Sequence, residues 1–286
     1  SRPDLSGSGR DPSRLYPSRN DRESIVPSRR KLNAAVLGVL GIALFLALWQ
    51  AVPTLGLVKA EYLPPPTAVA GAIVIVLGDP VFWAALGNTL LTWIIGLVIS
   101  LIAAIIVGTV VGLMPAVRRA TRTTIEFLRP IPSVALIPLA ILTYGLQREA
   151  ALVIVIWATF WQIFIQVLYG VADVDPVARD TARSFGLGTV ARLRYVVLPT
   201  ALPYLSTGVR LGGTVALVLA VTAELVIGNP GLGRLITLAQ SGIGAQTTLY
   251  ALVVIAGMLG LIINLVLRAL ERRVLSWHHS VRTEVL

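Results

Sequence analysis

Residues 175–199 read DPVARDTARSFGLGTVARLRYVVLP, a polar, arginine-bearing island in an otherwise apolar chain. Runs long enough to cross a hydrocarbon core of about 30 Å flank it on both sides. Asp175 suits an N-cap and Pro176 a first helical position, where a missing N–H costs nothing. A helix is expected from there to about Ser184. Gly186 and Gly188 offer the positive φ that ends a helix and redirects the chain. Thr189 is expected to cap a second helix with Val190, Leu193 and Val197 on one face, Arg192 and Arg194 elsewhere, and Pro199 as its stop. The pattern is helix, glycine hinge, amphipathic helix, proline.

Outward from the island the chain is that of an integral membrane protein. Of its 286 residues 56% are hydrophobic and 13% charged, against about 25% charged in a soluble domain. The mean hydropathy is +0.81. Six spans are expected, at about 33–52, 83–111, 125–144, 150–169, 202–227 and 248–270, giving an all-α membrane domain over 33–286. The third is interrupted by Pro130, Pro132 and Pro138, which a membrane tolerates only where neighbouring groups satisfy the freed carbonyls. A short apolar helix over Ala68–Leu77, after the rigid Pro64-Pro65-Pro66 and a Thr67 cap, is too short to span. Residues 1–32 are rich in Ser, Pro, Arg and Asp and are expected to be a disordered tail. The tail is too long and polar for a signal-peptide n-region, so no cleaved leader is expected.

The net charge of +10 comes almost wholly from arginine, since the only lysines are Lys31 and Lys59. Cytoplasmic loops collect basic residues. With the N-terminus inside, that side receives the tail, Arg118, Arg119 and Arg122, the island arginines and Arg268, Arg272, Arg273 and Arg282. The outer side keeps only Lys59, Arg148 and Arg234. The island and both termini are therefore expected in the cytoplasm of a bacterial plasma membrane, and no nucleic-acid partner is implied. There is no cysteine, which removes disulfides and thiolate chemistry.

The island resembles the EAA loop of bacterial ABC importer permeases. The family pattern is Glu-Ala-Ala, three residues, Gly, nine residues, an aliphatic residue, any residue, Leu-Pro. It is met here by Asp180, Thr181, Ala182, Gly186, Val196, Leu198 and Pro199, with Asp180 and Thr181 departing from it. Leu63-Pro64-Pro65-Pro66, Leu128-Arg129-Pro130-Ile131-Pro132, Tyr144-Gly145, Gly208-Val209-Arg210, Ala223-Glu224 and Gly231-Leu232-Gly233 are similar, in order, to the nitrate, sulfonate, taurine and bicarbonate subfamily. The resemblance implies a type I importer permease of six transmembrane helices. Its coupling helix, using Asp180, Thr181, Ala182, Gly186, Arg192, Leu198 and Pro199, would dock on a cytoplasmic ATPase. It further implies two ATPase subunits carrying ATP and Mg, a second permease copy (a homodimer), an extracytoplasmic solute-binding protein, and a small anion as cargo moved by alternating access. No GxxxxGK[ST] loop is present, so no nucleotide chemistry is expected on this chain.

Three polar residues inside spans are candidate pathway groups. Glu224 is a costly intramembrane acid, read either as a pathway group or as a structural ion pair or hydrogen bond, with Arg210 or a backbone carbonyl as partner. Gln162 and Gln166 share a helix face and either line a pathway or bond between helices. The spacings Gly108…Gly112 and Gly208…Gly212 suggest helix packing. His278 and His279 point apart on a helix and make a poor metal pair. An ion-coupled transporter or channel would call for inverted repeats and several intramembrane ionisable groups, and an intramembrane hydrolase for a base at membrane depth. The sequence offers neither.

Overall fold

The computed structural model describes residues 28–242 and 245–275, so the tail up to residue 27 and the Trp277, His278, His279 segment lie outside the described residues. The chain falls into two units, residues 1–66 and 67–286. In the first, α1 (Ser28–Thr54) is the opening apolar helix. It starts inside the stretch expected as tail, because residues 28–32 contain no helix breaker and lead straight into the apolar run. Gly56, at φ 72°, ends it, with Leu57 N–H donating to Val52 O and Gly56 N–H to Pro53 O. The indole of Trp49 donates to the carbonyl of Pro64 (3.1 Å).

The second unit is a helical bundle. A short helix α2 (Pro66–Gly78) precedes α3 (Pro80–Leu113), whose N-cap Asp79 accepts from Val81 N–H at 2.8 Å. Next come α4 (Pro115–Leu128), a 3₁₀ turn at Ser133–Leu136 and α5 (Ile137–Tyr144). Then follow α6 (Arg148–Ala172), α7 (Pro176–Ser184), α8 (Thr189–Arg192), a π-type turn at Leu193–Val197 and α9 (Leu198–Ile227). The last two are α10 (Leu232–Ser241) and α11 (Gln246–Val274). Among the described residues, five helical runs are long and apolar enough to cross a membrane, and a sixth span is reached by counting the pair α4 and α5, bent by 84°, as one.

That bend corrects the expected third span. Ile125–Leu128 is the last turn of α4, a helix that begins at Pro115. Pro130 and Pro132 supply no N–H to continue it, and residues before a proline are pushed out of the helical region. Pro138, by contrast, sits in the first turn of α5, where it costs nothing.

Packing centres on α6, which runs parallel to α3 and antiparallel to α9. A Cβ added at Gly96, Gly108 or Gly112 of α3 would land on Val155, Val167 or Val171 of α6, each pair 59 positions apart. The fixed offset is the mark of two parallel helices meeting along a stripe of small residues. Against α9, Gly170 meets Ala201, Gly208 meets Gln166 and Ile163, and Gly212 meets Ile163 and Thr159. Lipid offers no hydrophobic gain to helix association, so close backbone approach and interhelical hydrogen bonds must supply it. Such bonds include those from the Trp93 indole to Gly213 O (2.8 Å) and from the Ser100 hydroxyl to Ile156 O (3.0 Å).

Candidate functional site

The island keeps the expected capped helix and glycine turn, with corrections at Gly188, Thr189, Val190 and Pro199. Asp175 caps α7, accepting from Val177 N–H at 2.8 Å. Gly186 has φ 72°; its N–H donates to Arg183 O and that of Leu187 to Ala182 O, the paired bonds of a Schellman C-cap. Gly188, however, has φ −64° and is itself the N-cap of α8, so Thr189 is a helical residue rather than a cap. Pro199 is not a stop either. Helix is continuous from Thr189 to Ile227. The turn ahead of Pro199 is widened to the π form, with Leu198 N–H donating to Leu193 O. That widening relieves the clash a proline ring makes with the carbonyl four residues back.

The motif residues divide by burial. Ala182 is buried, whereas Asp180 and Thr181 are exposed, Asp180 lying 3.5 Å from Arg183. Arg192 is partly buried and bonds the hydroxyl of Thr189 (3.3 Å). Leu193 and Val197 pack into the main core, but Val190 faces away from them. Phe185 and Val190 are each 79% exposed, Val177 70% and Tyr195 65%. Large apolar side chains left in the open on a segment rich in arginine make a surface suited to covering by another protein. The spacing predicts Val190 on one face with Leu193 and Val197, whereas here it is exposed; the exposed apolar set emerges only once α7 and α8 are oriented.

At the other end of α9, Glu224 is fully buried. Its Oε2 accepts from the Thr89 hydroxyl (2.8 Å) and from Gly233 N–H (3.1 Å), while Leu232 N–H donates to Thr89 Oγ1 (2.9 Å). Oε1 has no hydrogen-bond partner among the described residues. One carboxylate thus ties α3, α9 and the first turn of α10 together, and an acid at a helix N-terminus is electrostatically favourable. A Cβ at Gly231 would meet this carboxyl group, and one at Gly233 the backbone of Val221 and Leu225. The Gly-Leu-Gly spacing is what allows the approach. Arg210 is not the partner of Glu224; it pairs with Glu271 of α11 at 3.2 Å, joined by Ser206. The reason is distance along α9: fourteen residues at 1.5 Å rise separate Arg210 from Glu224 by about 21 Å.

Gln162 is exposed and Gln166 partly buried beside Gly208, and neither side chain makes a hydrogen bond among the described residues. The three polar residues do not converge. Gln162 is on the open surface of α6, Gln166 borders the α6–α9 contact, and Glu224 sits in a closed box. Sequence reading missed α10, Thr89 and the Arg210–Glu271 pair; the two glycines of Gly231-Leu232-Gly233 were the available signal of close approach.

Comparison with known proteins agrees with this architecture. Residues 96–276 match the family described as binding-protein-dependent transport system inner membrane component. The taurine transport system permease protein TauC of Escherichia coli (strain K12) is 32% identical over 251 residues, covering 86% of this chain and 91% of that protein. The aliphatic sulfonates transport permease protein SsuC of the same organism is 33% identical over 232 residues, covering 81% and 88%. Among solved structures, the fold is similar to a chain of the MetNI methionine ABC transporter in an inward-facing conformation. The TM-score is 0.59 at 20% identity, over 68% of this chain and 98% of that one. With its parallel α3–α6 pair, antiparallel α9 and polar island between spans, the chain belongs to the family of binding-protein-dependent transport system inner membrane components, the permeases of ABC transporters.

Proposed function

We propose that this permease imports a small organic anion of the sulfonate class, taurine or an alkanesulfonate, by alternating access. Two copies of the chain would form the pathway. Two ATPase subunits, carrying ATP and Mg, would dock at residues 175–199, and a solute-binding protein would deliver cargo at the opposite face. The cargo class rests on the relatives named for taurine and aliphatic sulfonates. The orientation, with both termini and the island in the cytoplasm, rests on the arginine bias between the two sides. Gln162, exposed on α6, and Gln166, one turn further and partly buried beside Gly208 of α9, are the pathway candidates.

The observation that carries the docking assignment is the exposure of Phe185, Val190, Val177 and Tyr195 on the island. An apolar side chain buried at an interface contributes about 1.5–3 kcal/mol. Phe185→Asp should therefore weaken ATPase association at least tenfold while leaving membrane insertion intact. The test is co-purification of ATPase and uptake of labelled taurine and alkanesulfonates by proteoliposomes holding the full complex. Wild-type uptake and full ATPase retention in Phe185→Asp would refute the docking site. A wild-type complex that moves neither taurine nor any alkanesulfonate would refute the cargo.

A further inference from the structure

The island is not the only concentration of arginine. Where α3 ends, α4 turns away, and a cavity of about 900 Å³ opens between α3, α4 and α6. Its rim carries Arg118, Arg119, Arg122 and Arg129. Glu126 neutralises only Arg122, at 2.8 Å. Arg118, Arg119 and Arg129 have no ion-pair partner among the described residues, so three uncompensated guanidiniums share one opening. Basic residues at the cytoplasmic end of a span are ordinary and need no ligand. Several arginines lining one cavity make it a local centre of positive charge, which raises the concentration of anions there.

The floor is of the opposite character. Val111 of α3 and Ile165 and Leu168 of α6 line it, all on helices long enough to cross a membrane. On α4 itself, Val117, Ile125 and Leu128 pack against the core. No residue of α4 is fully buried, and Phe127 at its far end is 71% exposed. A basic amphipathic helix with an open aromatic edge is built to lie in a membrane interface. The ligand must then present a negative group to the rim and apolar chains to the floor.

We infer that this cavity holds the headgroup of an anionic phospholipid, its phosphate among Arg118, Arg119 and Arg129 and its acyl chains along Val111, Ile165 and Leu168. Guanidinium forks suit phosphate oxygens in paired hydrogen bonds. A zwitterionic headgroup fits less well, since it brings its own cation to a rim already in excess of positive charge. A free anion would satisfy the rim but leave the apolar floor uncovered. The site is separate from the island and independent of which solute the permease carries.

The test uses the full-length permease in nanodiscs of phosphatidylcholine alone or of three parts phosphatidylcholine to one of phosphatidylglycerol, with spin-labelled lipids as probes. The expected result is a preference for phosphatidylglycerol over phosphatidylcholine of roughly tenfold to a hundredfold, set by three basic groups near the surface. It should weaken with salt. R118Q/R119Q/R129Q should abolish it, and R183Q, on the island, should not. Should the triple variant fail to insert, R129Q alone decides: it should lose several-fold of the preference. No preference in the wild type, or an undiminished preference in the arginine variants, overturns the assignment. So does saturable binding of octanesulfonate in neutral nanodiscs that phosphatidylglycerol cannot displace, which would make the cavity a solute site.

Discussion

Glu224→Leu is the sharpest perturbation this structure offers, because the carboxylate serves a single identifiable purpose. Oε2 accepts from Thr89 and from Gly233 N–H, and the latter belongs to the first turn of α10. Removing the acceptor leaves the two donors in different positions. The Thr89 hydroxyl can fall back on Ala85 O, 3.2 Å away within its own helix. Gly233 N–H has no such recourse, and an orphaned buried donor costs about 1–3 kcal/mol. Loss of the anion at the helix N-terminus adds about 0.3–1 kcal/mol. Relief comes from Oε1, an unpaired buried oxygen that disappears with the carboxyl group. The net local cost is about 2–3 kcal/mol, or roughly 30- to 150-fold in a local opening equilibrium.

Hydrogen exchange reads that opening directly. Peptides covering 232–241 in Glu224→Leu should exchange faster than wild type by that factor, while peptides from the middle of α11 should not change. Thr89→Val is isosteric and removes both the donor to Glu224 and the acceptor for Leu232 N–H. Alone it should accelerate the same peptides. Combined with Glu224→Leu it should add less than the sum, because the two residues share one network. Exchange at 232–241 within threefold of wild type in Glu224→Leu would show that the carboxylate does not hold α10, and the box would have to be abandoned as a structural element.

Two further substitutions test the frame around the sites. Gly108→Leu drives a side chain into Val167 and Phe164, and overpacking of this kind costs about 1–3 kcal/mol or more; Gly257→Leu, where an added Cβ meets nothing, is the control. Folded yield and thermal unfolding in detergent should separate the two, and equal behaviour would refute the glycine stripe. Gly186→Val meets open space but must adopt φ 72°, at a cost of about 1–2 kcal/mol. It should loosen the end of α7 in hydrogen exchange and lower ATP-driven uptake without affecting insertion; an unchanged island would refute the Schellman cap.

What could be read in advance followed the range of the forces involved. Membrane spans depend on composition over about twenty residues, and the caps at Asp175 and Gly186 on hydrogen bonds within a turn, so both were legible. Proline was legible in identity and ambiguous in effect. The same ring that ends a helix in its interior is tolerated in a first turn, and nothing local to Pro199 or Pro138 says which applies. The Glu224 box was opaque for another reason. Thr89 lies 135 positions away, and helix α10 has no local signal beyond two glycines. Long-range pairing of a buried polar group is settled by the register of helix packing, here the stripe that sets α3 beside α6 and α9.

That register gives the proline misreading a consequence. Because Pro199 does not break the chain, Thr189–Ile227 is one helical run of 39 residues. At 1.5 Å per residue it is about 58 Å long, close to twice the hydrocarbon thickness. Val190 and Tyr195 of the island's exposed apolar surface sit on its first turns and Glu224 near its last. A rigid element of that length cannot move at one end alone. It must tilt as a whole or yield where its hydrogen bonding is weakest, at the π turn over Leu193–Val197 or at Pro203. Yielding there would absorb a displacement of the island locally, whereas tilting would carry Glu224 along and, through its bond to Gly233, move α10. The stiffness of residues 193–203 therefore decides whether the far side of the membrane registers an event at the island, and the Glu224 carboxylate is the point where that motion would be handed on.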